Sequence, residues 1–185
     1  VDGQTDNLAE ELEMLRDIRP RFGKFAVMGN HEFYAGEKLS MDFMSGAGFT
    51  VLREEGRTVA DLFSIAGVDD PAGRGFSLRG RSDEKTVLSD LPEDKFTVLL
   101  KHRPLVDQEA LGLFDLQLSG HAHKGQIFPF TVLVRLFFPM ISGLYELPSG
   151  SSLYVNRGSG TWGPPMRVLS PPEVTVIDVV PEKKS

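Results

Sequence analysis

The chain has 185 residues, of which 41% are hydrophobic and 25% charged, enough for one domain with a substantial core. Its net charge of −6 excludes the basic surface that nucleic-acid binding usually needs, so no nucleic-acid partner is expected. Cysteine is absent, which excludes disulfides and thiolate metal sites and leaves cytoplasmic and membrane-associated locations both open.

Asp6 can cap a helix over about residues 7–18, with Leu8, Leu12, Leu15 and Ile18 as its apolar stripe and Pro20 as its stop. Lys24 to Met28 reads as a buried strand, after which Gly29 turns the chain into an Asn30-His31 loop. Ser40 to Ala47 reads as a short helix stopped by Gly48. Thr50 to Leu52 and Arg57 to Val59 flank Gly56 and predict a hairpin, with Leu62 to Val68 as a third strand. Asp69-Asp70-Pro71 closes that strand. Paired aspartates can bind a metal, but the proline favours turn initiation. Pro71 to Arg81 is rich in glycine and arginine and predicts a mobile loop. There Arg74, Arg79 and Arg81 are either solvated or within reach of a phosphate.

Asp83 to Leu91 is a weak helix, Phe96 to Leu100 a buried strand, Val106 to Leu113 a short helix and Asp115 to Leu118 a further strand. Strands alternating with helices indicate an α/β layered core. Ile127 to Leu144 is almost wholly apolar, with Arg135 its only charge. Its length approaches a membrane span, but Pro129, Pro139 and Gly143 argue against one. Three readings compete: a buried core loop, which is preferred, a substrate-facing cap, and a patch dipping into the membrane interface. Exposed apolar surface of this size would call for a partner. Leu144 to Leu147 and Ser151 to Val155 predict a hairpin around Pro148-Ser149-Gly150. Val174 to Val180 reads as a last strand before a polar tail at 182–185.

The chain has four histidines, and each follows an apolar, strand-like run. His31 follows Lys24 to Met28, His102 follows Phe96 to Leu100, and the pair His121 and His123, between Gly120 and Gly125, follows Leu116 to Leu118. Ligand sites of open α/β sheets lie at such strand ends. Neutral imidazole is the commonest metal ligand among side chains. The plainer reading of Gly-His-x-His, two surface histidines in a glycine loop, does not account for the shared placement of all four.

Asn30-His31 after a strand, His102 after a strand and Gly120-His121-Ala122-His123 together resemble the later half of the calcineurin-like metallophosphoesterase signature, over roughly Gly29 to Gln126. Gly125-Gln126, Tyr154 to Gly158 and Gly160 to Pro165 are similar to a bacterial, often membrane-associated branch. The resemblance implies mixed β-sheets with flanking helices, an incomplete four-layer αββα sandwich. It also implies two divalent ions, manganese, iron or zinc. Asn30, His102 and His121 would ligate one and His123 the other. His31 would approach the scissile phosphate and assist the leaving group, with Glu32 either orienting it or simply exposed. Arg103 would contact the phosphate or form a structural ion pair.

The signature's earlier Asp-x-His and Gly-Asp do not occur in this sequence, and Val1-Asp2-Gly3 looks like the tail of the Gly-Asp segment. The expectation is therefore a single domain over 1–185, the C-terminal portion of a metallophosphoesterase domain without its first strands. The parent would hydrolyse a phosphomonoester, phosphodiester or pyrophosphate by two-metal-activated water. The fragment would hold at most one ion weakly and be inactive or nearly so. The alternative is a non-catalytic binding or interaction domain on a degenerate phosphoesterase fold. Expected partners are a small-molecule or lipid-linked phosphate substrate and a membrane surface. Self-association of the fragment through an exposed sheet edge is also expected.

Overall fold

The structure, a computed structural model, describes residues 8–74 and 84–181. In chain order, α1 (Ala9–Asp17), β1 (Lys24–Ala26), α2 (Asn30–Ala35), α3 (Glu37–Gly46) and β2 (Phe49–Val51) come first. Then follow β3 (Glu55–Val59), β4 (Phe63–Val68), α4 (Glu84–Ser89), β5 (Phe96–Lys101), β6 (Leu116–Ser119), α5 (Phe130–Phe137), β7 (Gly143–Glu146) and β8 (Ser152–Val155). The strands β1 and β2 pair in parallel as a small sheet. The larger sheet has the order β3-β4-β5-β6-β8-β7. Its inner strands β4, β5, β6 and β8 are parallel, and β3 and β7 are antiparallel edges.

Strands β4 and β5 are apolar on both faces, as central parallel strands must be. Ile65, Val98 and Leu100 pack with Leu52, Phe25 and Val27 of the small sheet. Ala66, Val68 and Leu99 face the other way, onto Val87 and Leu88 of α4 and onto Ala110 and Phe114. The helix α3 lies against β2. The layers thus run helix, small sheet, large sheet, helix, which is the αββα order expected for this mixed α/β class. The packing between the sheets is tight at Gly67, where a Cβ would fall 2.5 Å from Leu52 Cβ and 2.7 Å from Val27 Cγ1.

Several sequence-level expectations are corrected. Thr50 to Leu52 does not form a hairpin with Arg57 to Val59: β2 leaves for the small sheet, and β3 pairs with β4. The tight turn is Ala60-Asp61, both at positive φ (50° and 58°), with Leu62 N–H donating to Val59 O at 2.9 Å. Such turns usually carry Asn-Gly, so Ala-Asp gave no signal. Asn30 and His31 begin α2 instead of lying in a loop. The Glu32 carboxylate accepts the Gly29 N–H at 2.9 Å and caps the helix. Val106 to Leu113 contains only a 3-10 turn at Gln108–Ala110.

Ile127 to Leu144 is not a buried core loop. It carries α5, which has no buried residue. Val174 to Val180 is not in a strand. Glu173 ties down the approach to that segment, accepting from the Tyr154 hydroxyl, from Thr175 Oγ1 at 2.8 Å and from Arg157 Nε at 2.5 Å. Asp6, Arg79, Arg81 and the tail 182–185 fall outside the described residues, as does the side chain of Arg74.

Two outcomes follow from this packing. Gly67→Ala is expected to destabilise the fold by about 1–3 kcal/mol through overpacking between the sheets, read as a lower melting temperature. The second concerns Glu173. Burial raises its pKa, but hydrogen bonds from Tyr154, Arg157 and Thr175 outweigh burial and bring it down to about 2. A depressed carboxyl stabilises fully above its unfolded value and loses that contribution as pH falls through its folded value. Urea unfolding of the native chain and Glu173→Gln is expected to differ at pH 6 and to converge as pH falls from about 4.5 toward 2.

Candidate metal centre

The parallel strands place every histidine at one end of the molecule. His102 follows β5, His121 and His123 follow β6, and Asn30 and His31 open α2 just after β1. Asn30 Oδ1 stands 2.8 Å from His102 Nε2 and 3.2 Å from His121 Nδ1, and the two imidazole nitrogens are 3.0 Å apart. The imidazole planes cross at 75°. Two ligands at right angles on an ion with bonds of about 2.1 Å lie about 3.0 Å apart. The triangle of donor atoms therefore fits one face of an ion's coordination shell. Among the described residues no group of three or more His, Asp or Glu side chains is placed to hold an ion. The triad is two imidazoles and a carboxamide oxygen, a donor set that suits manganese, iron or zinc.

Burial lowers the pKa of His102, His121 and His123. His102 is lowered chiefly by burial. His121 is pushed to about 4 by burial, with His102 and Arg103 adding to it. His123 is likewise at about 4, from burial and then Arg167. All three are neutral near pH 7, the form in which imidazole offers a lone pair.

The turn that carries the pair is strained. His121, His123, Lys124 and Gln126 all have φ between 46° and 62°. Non-glycine residues in this region are costly and persist only where the surroundings hold them. Ser170 Oγ donates to His123 O at 2.5 Å, and Thr131 Oγ1 donates to Lys124 O at 3.1 Å. Gln126 is buried. It accepts the Trp162 N–H at 2.8 Å and donates to the carbonyls of Trp162 and Pro164. Arg167 donates to His123 Nδ1 at 2.9 Å and to the carbonyls of Arg157, Gly160 and Ser170.

The predicted residues thus divide into groups. Asn30, His102 and His121 meet. His31 and His123 line the same cavity of about 280 Å³, walled by Val134, Phe138 and Trp162, but His123 turns Nδ1 to Arg167. Phe138 packs edge-on against His121, with centroids 5.1 Å apart. Arg103 is held by the fully buried Asp70 through Nε at 2.7 Å and Nη2 at 2.9 Å. Asp70 also accepts the Ala72 N–H at 2.9 Å, so it initiates the turn as expected and anchors the arginine as well. Sequence reasoning missed Gln126, Arg167, Ser170 and Phe138. Only Gln126 carried a signal, through the similarity of Gly125-Gln126 and Gly160 to Pro165 to one branch of the family.

A mixed two-sheet α/β fold with histidines and an asparagine gathered at strand ends defines the metallophosphoesterase class. A family model described as calcineurin-like phosphoesterase matches residues 1–125, and the chain belongs to that family. It is 45% identical over 181 residues to an uncharacterized metallophosphoesterase of Aquifex aeolicus, covering 97% of this chain and 69% of that protein. It is 35% identical to an uncharacterized metallophosphoesterase of Campylobacter jejuni, covering 99% of this chain and 49% of the relative. A Danio rerio protein named transmembrane protein with metallophosphoesterase domain is 32% identical, over 96% of this chain and 43% of its own length. The chain thus spans 69% of the first of these relatives and less than half of the other two. No solved structure matches.

Gly29 tests the triad without touching a donor atom. A Cβ there would fall 2.8 Å from both His102 Nδ1 and Glu32 Oε2. Gly29→Ala is expected to displace His102 and weaken manganese binding by about tenfold or more, measured by titration calorimetry.

Proposed function

We propose that this protein hydrolyses a phosphoester, whether a phosphomonoester, a phosphodiester or a pyrophosphate, with divalent ions as cofactors. The observation that carries the reading is the convergence of Asn30, His102 and His121 at strand ends in a chain of the phosphoesterase family. Those three side chains would hold one ion, and His123, released from Arg167, would serve a second. Bound there, a pair of divalent ions polarises the phosphoryl oxygens and lowers the pKa of bound water to about 7.

The chain's own groups have distinct tasks in this reading. His31 stands in the first turn of α2, beside Asn30 and facing the cavity, where a ring nitrogen can pass a proton to the departing oxygen. Phe138, Val134 and Trp162 exclude water from one side of the phosphate. Arg103 is fixed by Asp70 and acts as a stationary positive charge near the two imidazoles. The apolar wall suits a phosphoester whose alcohol portion is itself apolar, lipid-linked phosphates included.

The test is a manganese-supplemented assay of the whole protein on chromogenic phosphomonoesters and phosphodiesters. His121→Ala is expected to remove activity and bound metal together. His31→Ala is expected to lower turnover by about 10²–10⁴-fold while metal content stays near that of the native protein. Bound metal without turnover in the native protein would select the non-catalytic binding domain instead.

A further inference from the structure

Helix α5 is turned inside out. Thr131 and Val134 are its half-buried residues, with Phe138 half-buried just past its end. Thr131 bonds to the histidine turn, and Val134 and Phe138 line the cavity. The outward positions are Phe130, Val132, Leu133, Arg135, Leu136 and Phe137, with Leu136 and Phe137 each 75% exposed. A surface helix normally shows water its polar face. Beside it, Phe128, Trp162, Met166 and Leu169 are also exposed. They belong to one tied unit. Phe128 N–H donates to Val168 O at 3.2 Å, Val168 N–H donates to Gln126 O at 2.9 Å, and Gln126 clamps Trp162.

We infer that α5 and the 162–169 loop form a docking face for an acidic phospholipid bilayer, with the histidine cavity opening along it. Charge identifies the occupant. Between Ser119 and Ser170 the chain has four basic side chains, Lys124, Arg135, Arg157 and Arg167, against one acid, Glu146. That segment carries +3 in a chain of −6, so the remainder carries −9. Arg157 is paired with Glu173, so the charge of this segment beside the apolar face comes from Lys124, Arg135 and Arg167. No acid lies between Ser119 and Tyr145, a balance that an anionic headgroup layer complements. In a symmetric contact with a second copy this face would meet itself, and α5 offers Arg135 no acid to pair with. Among the described residues no helix is long and apolar enough to cross a membrane, so α5 lies on the surface. Its aromatic side chains and Trp162 rest at headgroup depth, and Arg135 reaches up along the apolar surface to the phosphates. The inference rests on exposure and charge and does not depend on catalysis.

The experiment is co-sedimentation of the 185-residue chain with phosphatidylcholine vesicles, with and without phosphatidylglycerol. Binding is expected with phosphatidylglycerol, to weaken in high salt, and to fall by about tenfold or more in Leu136→Asp/Phe137→Asp. Both positions are so exposed that circular dichroism and thermal melting should not change. Arg135→Glu is expected to weaken binding to the acidic vesicles but not the residual binding to neutral ones. No sedimentation of the native chain overturns the inference, and so does equal binding by the double variant. A dimer in light scattering that the double variant dissolves, without vesicle binding, overturns it too and assigns the face to a second copy.

Discussion

The hydrogen bond from the Gly120 amide to the His102 carbonyl, at 3.0 Å, ties together the chain as it leaves β5 and β6. It continues the parallel pairing in which Leu100 stands opposite Leu118. With that register fixed, His102 and His121 leave neighbouring strands with their rings 4.9 Å apart. Asn30 can complete the triangle only because the small sheet sits close enough. That closeness depends in turn on two glycines, Gly67 between the sheets and Gly29 beneath the His102 ring. A slip of one residue between β5 and β6 would send one histidine to the opposite face.

Two guanidinium groups frame the cluster, and both are immobilised. Arg103 sits on a buried carboxylate, while Arg167 is bound to backbone carbonyls and His123. They keep the imidazoles neutral by repulsion added to burial. The charge of Arg103 is offset by Asp70, whereas Arg167 stands beside His123 with carbonyls as its other partners.

The strands that lead to the cluster are legible because each pairs an apolar run with a histidine shortly after it, as at Phe96 to His102 and Leu116 to His121. A parallel strand buried on both faces announces itself by continuous apolarity. Strand partners were less legible. Phe49–Val51 looked like half of a hairpin because nothing local distinguishes a strand bound for β3 from one bound for β1. The apolar stretch around α5 reads as buried for a related reason: apolarity in a sequence does not say whether it faces the core or the solvent. The clamps were illegible. Arg167 lies 44 residues beyond His123, and an arginine followed by ordinary loop residues carries no mark of its destination. Asp70 was read correctly as a turn former, but its second task, holding Arg103, depends on a contact across 33 residues.

The strained histidine turn sets an order of assembly. The turn's left-handed residues gain no support from β6 itself. Hydrogen bonds reach them from Thr131 nearby and from Trp162, Val168 and Ser170 much farther along the chain, and the clasp on His123 comes from Arg167. Contacts of such sequence separation close late, because the loop entropy must be met first. All eight strands of the described residues end by Val155, so they are complete in chain terms before residues 162–170 arrive. A chain ending at Arg157 would keep those strands and every histidine, yet would lose the contacts from Trp162, Arg167, Val168 and Ser170 that help to hold the His121–Gln126 turn.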